Sequence, residues 1–214
     1  PDIEQSIGYF KKVVTELNTS QWKPLFTDNL SNATCKPGSW NITDGVLSPN
    51  GNGDLWTKKP YGNFILDLEF KVAENTNSGI FIRTGDIEEW LHTAIEVQIL
   101  DSFGKEKPDN QDCGAIFDCL KPQKNMVKKP GEWNRYTITC KGNKIYVVLN
   151  DRQVIDMDLN YWVIPHRNPD GSENKFNTAY KDMPREGYIG FQYHGHPVWF
   201  RNIQIRELEK TTVY

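Results

Sequence analysis

Five polar residues of different chemistry fall within stretches whose residue patterns are typical of β-strands. They are the cation Arg83, the carboxylate Glu96, the amides Gln98 and Gln192, and the imidazole His194. Side chains alternate across a strand, so each of these groups is predicted to lie opposite an apolar face. If the strands are neighbours, the groups converge and provide proton transfer together with recognition of hydroxyls and carbonyls. The alternative is an ordinary hydrated sheet face with an Arg–Glu pair.

The elements that must position these groups are short strands with frequent turns. Residues 63–72 alternate apolar and polar side chains, and residues 93–100 place three aliphatic residues on one parity and Ala94, Glu96 and Gln98 on the other. Gly142-Asn143 and Asn150-Asp151 separate strand-like runs and indicate hairpin turns. The sequence therefore predicts an all-β antiparallel sandwich or jelly roll.

Length and charge narrow the functional class. The 214 residues suit one large β domain, and the net charge of −3 gives no field that favours nucleic acid. No run of about 18 apolar residues is present, so the chain is not expected to span a membrane.

The chain is rich in aromatic residues, with seven Trp, nine Tyr and ten Phe. Most are expected in the core, because burial is the usual role of large rings. Some could stack on a ligand. The candidate platforms are Trp56, Trp90, Trp133, Trp162 and Trp199, and Trp199 is favoured because it is close to His194 in sequence.

Metal and cysteine chemistry stay open. No cofactor is required by any motif, but a divalent metal held by His194 with Glu96 or Asp101 is one alternative, and a structural calcium on the Asp-rich loops is another. The four cysteines match no zinc or redox spacing. Cys113 and Cys119 could be bridged, and free buried thiols are equally compatible with the sequence.

The chain divides into an N-terminal arm or short helix over residues 1–21, one domain over residues 22–208, and a tail over residues 209–214. The arm is predicted from apolar residues at steps of three and four. Residues 160–185 form a long segment rich in Pro and Gly, which we interpret as a lid or rim over one sheet face. A plain surface insertion is the alternative.

An ordered series of short phrases resembles a known family. It runs through Trp40-Asn41-Ile42-Thr43-Asp44-Gly45-Val46-Leu47, Asp54-Leu55-Trp56-Thr57, Asn77-Ser78-Gly79-Ile80-Phe81-Ile82-Arg83, Glu96-Val97-Gln98-Ile99-Leu100-Asp101-Ser102, Gly114-Ala115-Ile116-Phe117, Gly131-Glu132-Trp133-Asn134, Leu149-Asn150-Asp151 and Phe200-Arg201-Asn202-Ile203. Together these resemble the 3-keto-disaccharide hydrolase family over about residues 22–208. The Phe117-Asp118-Cys119 ending departs from the family pattern and leaves substrate preference open.

The resemblance implies a concanavalin-like jelly roll that acts on an oligosaccharide or glycoside oxidised to a ketone at carbon 3. The ketone acidifies the hydrogen on carbon 2, so a base can form an enolate and the group on carbon 1 is expelled. His194 is the expected base, with Glu96 as its rival. Arg83 is expected to stabilise the enolate oxygen, and Glu96 or Asp101 to serve as the acid.

Gln98 and Gln192 are expected to hold hydroxyls, with Trp56, Trp133 and Trp199 as further substrate contacts. The family also implies a secreted or periplasmic protein whose signal sequence has been removed. A non-catalytic carbohydrate-binding module and a partner-binding sandwich are the alternative functions. The sequence does not determine the oligomeric state.

Overall fold

The computed structural model describes residues 21–209, and the expected N-terminal arm lies outside the described residues except for Gln21. Thirteen strands form the framework of this part of the chain. They are β1 (Lys23–Pro24), β2 (Ala33–Thr34), β3 (Trp40–Thr43), β4 (Val46–Pro49), β5 (Leu55–Thr57), β6 (Phe64–Val72), β7 (Asn77–Thr84), β8 (Ile95–Leu100), β9 (Asn134–Lys141), β10 (Lys144–Leu149), β11 (Arg152–Asp158), β12 (Tyr188–Phe191) and β13 (Val198–Glu207).

Helical structure among the described residues is limited to single turns. The α-helix α1 spans Trp90–Thr93, and two 3-10 helices span Leu159–Tyr161 and Tyr180–Asp182. None of the helices within residues 21–209 is long and apolar enough to cross a bilayer.

Two antiparallel sheets form the sandwich, which confirms the predicted all-β jelly-roll class. The larger sheet has the order β11-β10-β9-β6-β13-β4-β3, with β1 added alongside β13, and the smaller sheet has the order β2-β5-β12-β7-β8. The predicted hairpin turns are present, since Lys141 pairs with Lys144 and Leu149 pairs with Arg152. Asn150 and Asp151 both have positive φ, as a type I′ hairpin turn requires.

The core lies between the two sheets and follows the period-2 pattern of the sequence. Along β6 buried and half-buried residues alternate strictly from Phe64 to Val72. In the small sheet Ile80, Val97 and Phe191 face this core. Each large apolar side chain buried in this way contributes about 1.5–3 kcal/mol to folding, so a one-residue slip of any strand would be costly.

A short edge segment widens the small sheet beyond β8. The amide of Gly114 donates to the Gln98 carbonyl, the Gln98 amide donates to Ala115, and the Phe117 amide donates to Glu96. This segment places Phe117 directly beside Glu96.

The segment 160–185 is ordered by packing around its own buried residues. Trp162, Phe176, Tyr180 and Met183 join the main core. The backbone of His166 pairs with Phe176 and Asn174. The segment is therefore a fixed structure and contacts the edge of the small sheet through Asp118, as described below.

Candidate functional site

The outer face of the small sheet, which points away from the core, carries the candidate site. One row of cross-strand neighbours runs through Thr34, Trp56, Gly190, Phe81 and Glu96. The next row contains Gln98 opposite Gly79, and the Gln192 amide donates to the Gly79 carbonyl. Three strands therefore bring a carboxylate, two amides and an indole together.

Two glycines provide the space that the larger groups occupy. A methyl group on Gly79 would overlap the carboxylate of Glu96, and a methyl group on Gly190 would overlap the indole of Trp56. Glu96 and Trp56 therefore lie directly over the backbone of β7 and β12. Any larger residue at Gly79 would displace the carboxylate.

Glu96 is the most perturbed carboxyl group of the site. Its side chain lies in the sheet face with only 7% of the residue exposed. Burial raises its pKa to about 8, the nearby charge of Lys175 lowers this value, and Asp54 raises it. A carboxyl group with a pKa near neutrality can accept or donate a proton at physiological pH.

The amides of Gln98 and Gln192 belong to this sheet face, and their carbonyl oxygens are buried in it. Gln98 Nε2 donates to Asn77 Oδ1 at 2.8 Å, which orients the amide and leaves Oε1 as an acceptor. The Oε1 atoms of Gln98 and Gln192 are buried, and neither has a hydrogen-bond partner among the described residues. A buried acceptor without a donor is costly, so both oxygens favour a ligand that brings hydroxyl groups.

His194 and Asp54 form the exposed end of the site. Asp54 Oδ1 accepts a hydrogen bond of 2.9 Å from the Tyr193 amide. Burial raises the pKa of Asp54, while the Tyr193 hydrogen bond and the charge of His194 oppose that change. His194 itself is exposed. The imidazole is thus accessible to a ligand and electrostatically coupled to a carboxylate.

The prediction that Arg83 shares the outer sheet face with Glu96 is wrong. Two residues of β7, Ile82 and Arg83, oppose one residue of β12 where the register shifts, and this bulge moves Arg83 to the interior with φ of 54°. Its guanidinium donates to the Gly142 carbonyl at 2.7 Å and to the Gly62 carbonyl at 3.3 Å, and the residue is 0% exposed. Arg83 therefore bridges the two sheets and does not reach the site.

Asp101 also lies away from the site. It follows the end of β8, and its Oδ2 accepts from the Asn75 amide at 3.0 Å. Along an extended strand it is about 16 Å from Glu96. Asp101 therefore stabilises the turn between β6 and β7, and the expectation that it supplies an acid at the site is not supported by its position.

Trp133 and Trp199 lie on the opposite side of the sandwich, contrary to the expectation that they contact the same ligand. Trp199 belongs to β13 of the large sheet and pairs with Lys71. The Lys71 ammonium lies 5.0 Å from the Trp133 ring centroid and 4.8 Å from the Trp199 ring centroid. The prediction for Trp199 relied on its proximity to His194 in sequence. It was wrong because the chain crosses from one sheet to the other between these two residues.

Trp56 is the predicted tryptophan that the structure places in the site. It stacks on Phe81 with ring centroids 5.2 Å apart and an interplanar angle of 11°, and Phe81 in turn contacts Trp90 at 4.6 Å. Trp56 is only 6% exposed. It therefore forms an apolar part of this sheet face together with Phe81, which pairs with Glu96, and offers little of its ring surface to solvent.

Segment 160–185 borders the site, in agreement with its interpretation as a rim. Its Lys175 interacts electrostatically with Glu96, and its Asn177 amide donates to His92 Nδ1 at 3.4 Å. The Tyr180 hydroxyl is buried beside the Cys119 thiol. Its pKa is raised well above the usual value by burial, by Cys119 and by Glu96.

Two residues of the site were not identified from the sequence, Asp54 and Lys175. Asp54 precedes β5 in the phrase Asp54-Leu55-Trp56, and its parity with Trp56 is a signal that could have found it. Lys175 lies in an irregular segment with no periodicity. Only the tertiary contacts of the segment bring it to the sheet.

Two further predictions concerned a bound metal ion and the state of the cysteines. Over residues 21–209 no three His, Cys, Asp or Glu side chains lie close enough together to hold a metal ion. Cys35, Cys113, Cys119 and Cys140 are all free thiols. Burial raises the pKa of Cys113 to about 11 and those of Cys119 and Cys140 to about 12, so these three remain protonated and unreactive near neutral pH.

The fold and the site define a jelly-roll sandwich that carries a buried carboxyl group with a raised pKa and two buried amide oxygens on one sheet face. Residues 16–206 match the model of the 3-keto-alpha-glucoside-1,2-lyase-like domain. The chain belongs to this family, which confirms the resemblance found in the sequence.

Relatives of known name agree with this assignment. A protein of Bacteroides thetaiotaomicron named 3-keto-disaccharide hydrolase is 28% identical over 81% of this chain and 71% of its own length. A crystal structure of a candidate glycosyl hydrolase from Parabacteroides distasonis is 42% identical, with a TM-score of 0.82 over 88% of this chain and 100% of the other. A Bacillus subtilis protein with a galectin-like fold is 12% identical, with a TM-score of 0.53 over 87% of this chain and 94% of its own, and is similar in fold alone.

Proposed function

We propose that this protein cleaves glycosides that carry a ketone at carbon 3 by eliminating the group on carbon 1. The observation that supports this most strongly is the buried Glu96, whose pKa of about 8 suits proton transfer at the outer face of the small sheet. The names of the family and of the Bacteroides relative supply the substrate class.

In the proposed reaction Glu96 in its ionised form takes the proton from carbon 2. A carboxylate with a raised pKa is a stronger base than an ordinary one. Glu96 lies over Gly79 and is almost fully buried, and this low exposure to water preserves its basicity. The electron pair of the broken C–H bond moves into the carbonyl and forms an enolate. This assignment exchanges the roles expected from the sequence, in which His194 was the first choice of base.

The second step releases the aglycone. The enolate electrons return to form the carbonyl again, the C1–C2 double bond forms, and the C1–O bond breaks. In this scheme His194 gives a proton to the departing oxygen, and its exposure and its electrostatic interaction with Asp54 support that role. Addition of water across the double bond then gives net hydrolysis.

The two glutamine oxygens fix the sugar in this scheme. Gln98 Oε1 and Gln192 Oε1 accept hydrogen bonds from hydroxyls on the ring. Trp56 closes the apolar side of the site. Binding energy from these contacts orients carbon 2 toward Glu96 before the proton moves.

The test is release of a chromogenic phenol from a 3-keto-glycoside, measured for the wild type, Glu96→Gln and His194→Ala, with and without a chelator. A substrate deuterated at carbon 2 should react several-fold more slowly if C–H cleavage limits the rate. Release from the wild type that is lost in Glu96→Gln supports the proposal, and loss on chelation would assign part of the chemistry to a metal.

Non-catalytic sugar binding is the second candidate, because the unpaired amide oxygens of Gln98 and Gln192 would favour a saccharide without any chemistry. Sugar binding in calorimetry, with no phenol release and no uptake of solvent deuterium at carbon 2, would replace the enzyme with a binding module.

A further inference from the structure

The proposed elimination places negative charge on the carbonyl oxygen at carbon 3, so the site requires a cation or hydrogen-bond donor there. Arg83, the residue expected from the sequence to provide it, donates to the carbonyls of Gly142 and Gly62 in the interior. The site must obtain its positive charge from another element.

Lys175, in segment 160–185, is held beside Glu96 by contacts with the edge segment of the small sheet. Its backbone amide donates to Asp118 Oδ2 at 2.9 Å, and Asn168 Nδ2 donates to the Asp118 carbonyl at 3.1 Å. These two bonds fix the segment against residue 118, which has a left-handed backbone with φ of 59°.

The side chain of Lys175 is positioned by an aromatic ring. Its Nζ lies 4.4 Å from the centroid of the Phe117 ring. The amide of Phe117 donates to the Glu96 carbonyl at 2.9 Å, so the ring that carries the ammonium is attached next to the proposed base. A cation–π contact of this kind orients a flexible lysine without neutralising its charge.

The charged and titratable groups that act on Glu96 come from three different elements. Lys175 comes from the segment, Asp54 precedes β5, and the Tyr180 hydroxyl belongs to the second 3-10 helix. Lys175 is the cation of this set, and the ion pairs formed within residues 21–209 leave its ammonium without a carboxylate within 4.0 Å.

We propose that Lys175 is a catalytic residue whose ammonium stabilises the enolate oxygen at carbon 3, an inference that rests on the proposed function. Carbon 2 and the oxygen on carbon 3 are separated by two bonds, so a base at one and a cation near that base reach both. As Glu96 gains the proton and loses its charge, negative charge appears on the oxygen. Lys175 then acts on the enolate in place of the carboxylate.

The alternative role for Lys175 is to hold segment 160–185 on Phe117. In that case any side chain that packs on the ring would serve, and the charge would have no effect on the chemical step. The two roles predict different results for two variants. If the charge acts in catalysis, Lys175→Arg retains the activity that Lys175→Met loses.

The experiment compares Lys175→Met, Lys175→Arg and the matched control Lys181→Met, which removes a cation of the same segment whose ammonium pairs with Asp182. For a chromogenic 3-keto-glycoside we expect Lys175→Met to lower kcat about 10²–10³-fold with a smaller change in KM. Lys175→Arg should recover most of this loss, and Lys181→Met should leave kcat within about twofold.

The pH profile is the second readout, because a purely structural role would not move it. Loss of Lys175 removes a charge that favours ionised Glu96, so the rising limb of kcat against pH should shift to higher pH in Lys175→Met and remain in place in Lys181→Met. The melting temperature of each variant identifies any loss that comes from unfolding.

The outcomes separate this inference from the proposed function. An active wild type with an unchanged kcat and pH limb in Lys175→Met overturns the role of Lys175 and leaves the elimination reaction standing. A loss in Lys175→Met that arginine does not recover, with no shift of the limb, also overturns it. A wild type that neither releases phenol nor exchanges the carbon 2 proton overturns both.

Discussion

The outer faces of the two sheets carry similar residues but differ in how those residues are partnered. On the large sheet Glu69 forms a 2.6 Å ion pair with Arg201, Arg135 pairs with Asp67 at 3.1 Å, and Lys71 lies between two indoles. On the small sheet Glu96 lies over a glycine with no ion pair within 4.0 Å among residues 21–209.

The pKa values of the two glutamates reflect this difference. Burial raises the pKa of Glu96 to about 8. At Glu69 burial also disfavours the charge, but hydrogen bonds from Asn202 and Arg201 outweigh it and the pKa is lowered. Polar groups that form hydrogen bonds and ion pairs with one another stabilise the fold. Buried polar groups without such partners favour the binding of a ligand that supplies them.

The largest expected difference between the faces is in activity. Glu96→Gln should lower kcat about 10³-fold, because it removes the proposed base while preserving the shape of the side chain. Glu69→Gln, the matched change on the other sheet, should leave kcat within about twofold. Phenol release from the 3-keto-glycoside measures both, and equal losses in the two variants would show that Glu96 has no special role.

The pH dependence of stability should have opposite signs for the same two substitutions. Folded Glu96 stays protonated while the unfolded chain ionises near pH 4.5, so the wild type loses stability as pH rises from that value to about 8. Glu96→Gln removes this loss and should be more stable than the wild type above pH 8, by up to about 5 kcal/mol, with little difference at pH 4.

Glu69 has a lowered pKa, and the stability it adds is present above its unfolded pKa and lost as pH falls through the folded value. Glu69→Gln should therefore be less stable than the wild type at pH 7, with the difference shrinking toward pH 3. Urea unfolding at pH 4, 7 and 9 gives both comparisons. A pH-independent effect of Glu96→Gln would mean that the carboxyl group titrates normally.

A smaller effect is expected for the amides. Gln192→Leu should raise KM about tenfold with a lesser change in kcat, because it removes one hydroxyl acceptor and leaves the acid–base groups in place. Stability should rise by about 1–3 kcal/mol, since the substitution removes a buried oxygen that has no hydrogen-bond donor among residues 21–209. An unchanged KM would place the sugar elsewhere on the sheet.

The smallest effect on activity is expected for the tryptophans of the large sheet. Trp199→Ala should leave kcat/KM within about twofold, whereas Trp56→Ala should lower it by at least tenfold because Trp56 packs against Phe81 in the site. A loss in Trp199→Ala at a temperature where the variant remains folded would show that the large sheet also contacts substrate.

Much of the fold was predictable because strands have a local signature. The alternation of Phe64 to Val72 appears as a strand with alternating burial, and the turn at Asn150-Asp151 has the backbone that its residues favour. Glu96, Gln98 and Gln192 were also assigned correctly to one face, because no irregularity interrupts β8 or the pairing of Gly79 with Gln98.

The errors have specific structural causes. Arg83 changes face at a bulge, and parity cannot reveal an inserted residue. Trp199 follows His194 closely in sequence but belongs to the other sheet. Lys175 has no pattern of its own and reaches Glu96 only because Asp118 holds its segment.

The sequence by itself determined the strand class, the family and the outward parity of Glu96, because these depend on local periodicity and ordered motifs. Only the tertiary structure decided which charged groups act on Glu96 and which are neutralised elsewhere. Which groups act on Glu96 depends on burial and on contacts between segments distant in the chain. Burial and these contacts shift the pKa of a side chain and determine whether a buried acceptor has a donor.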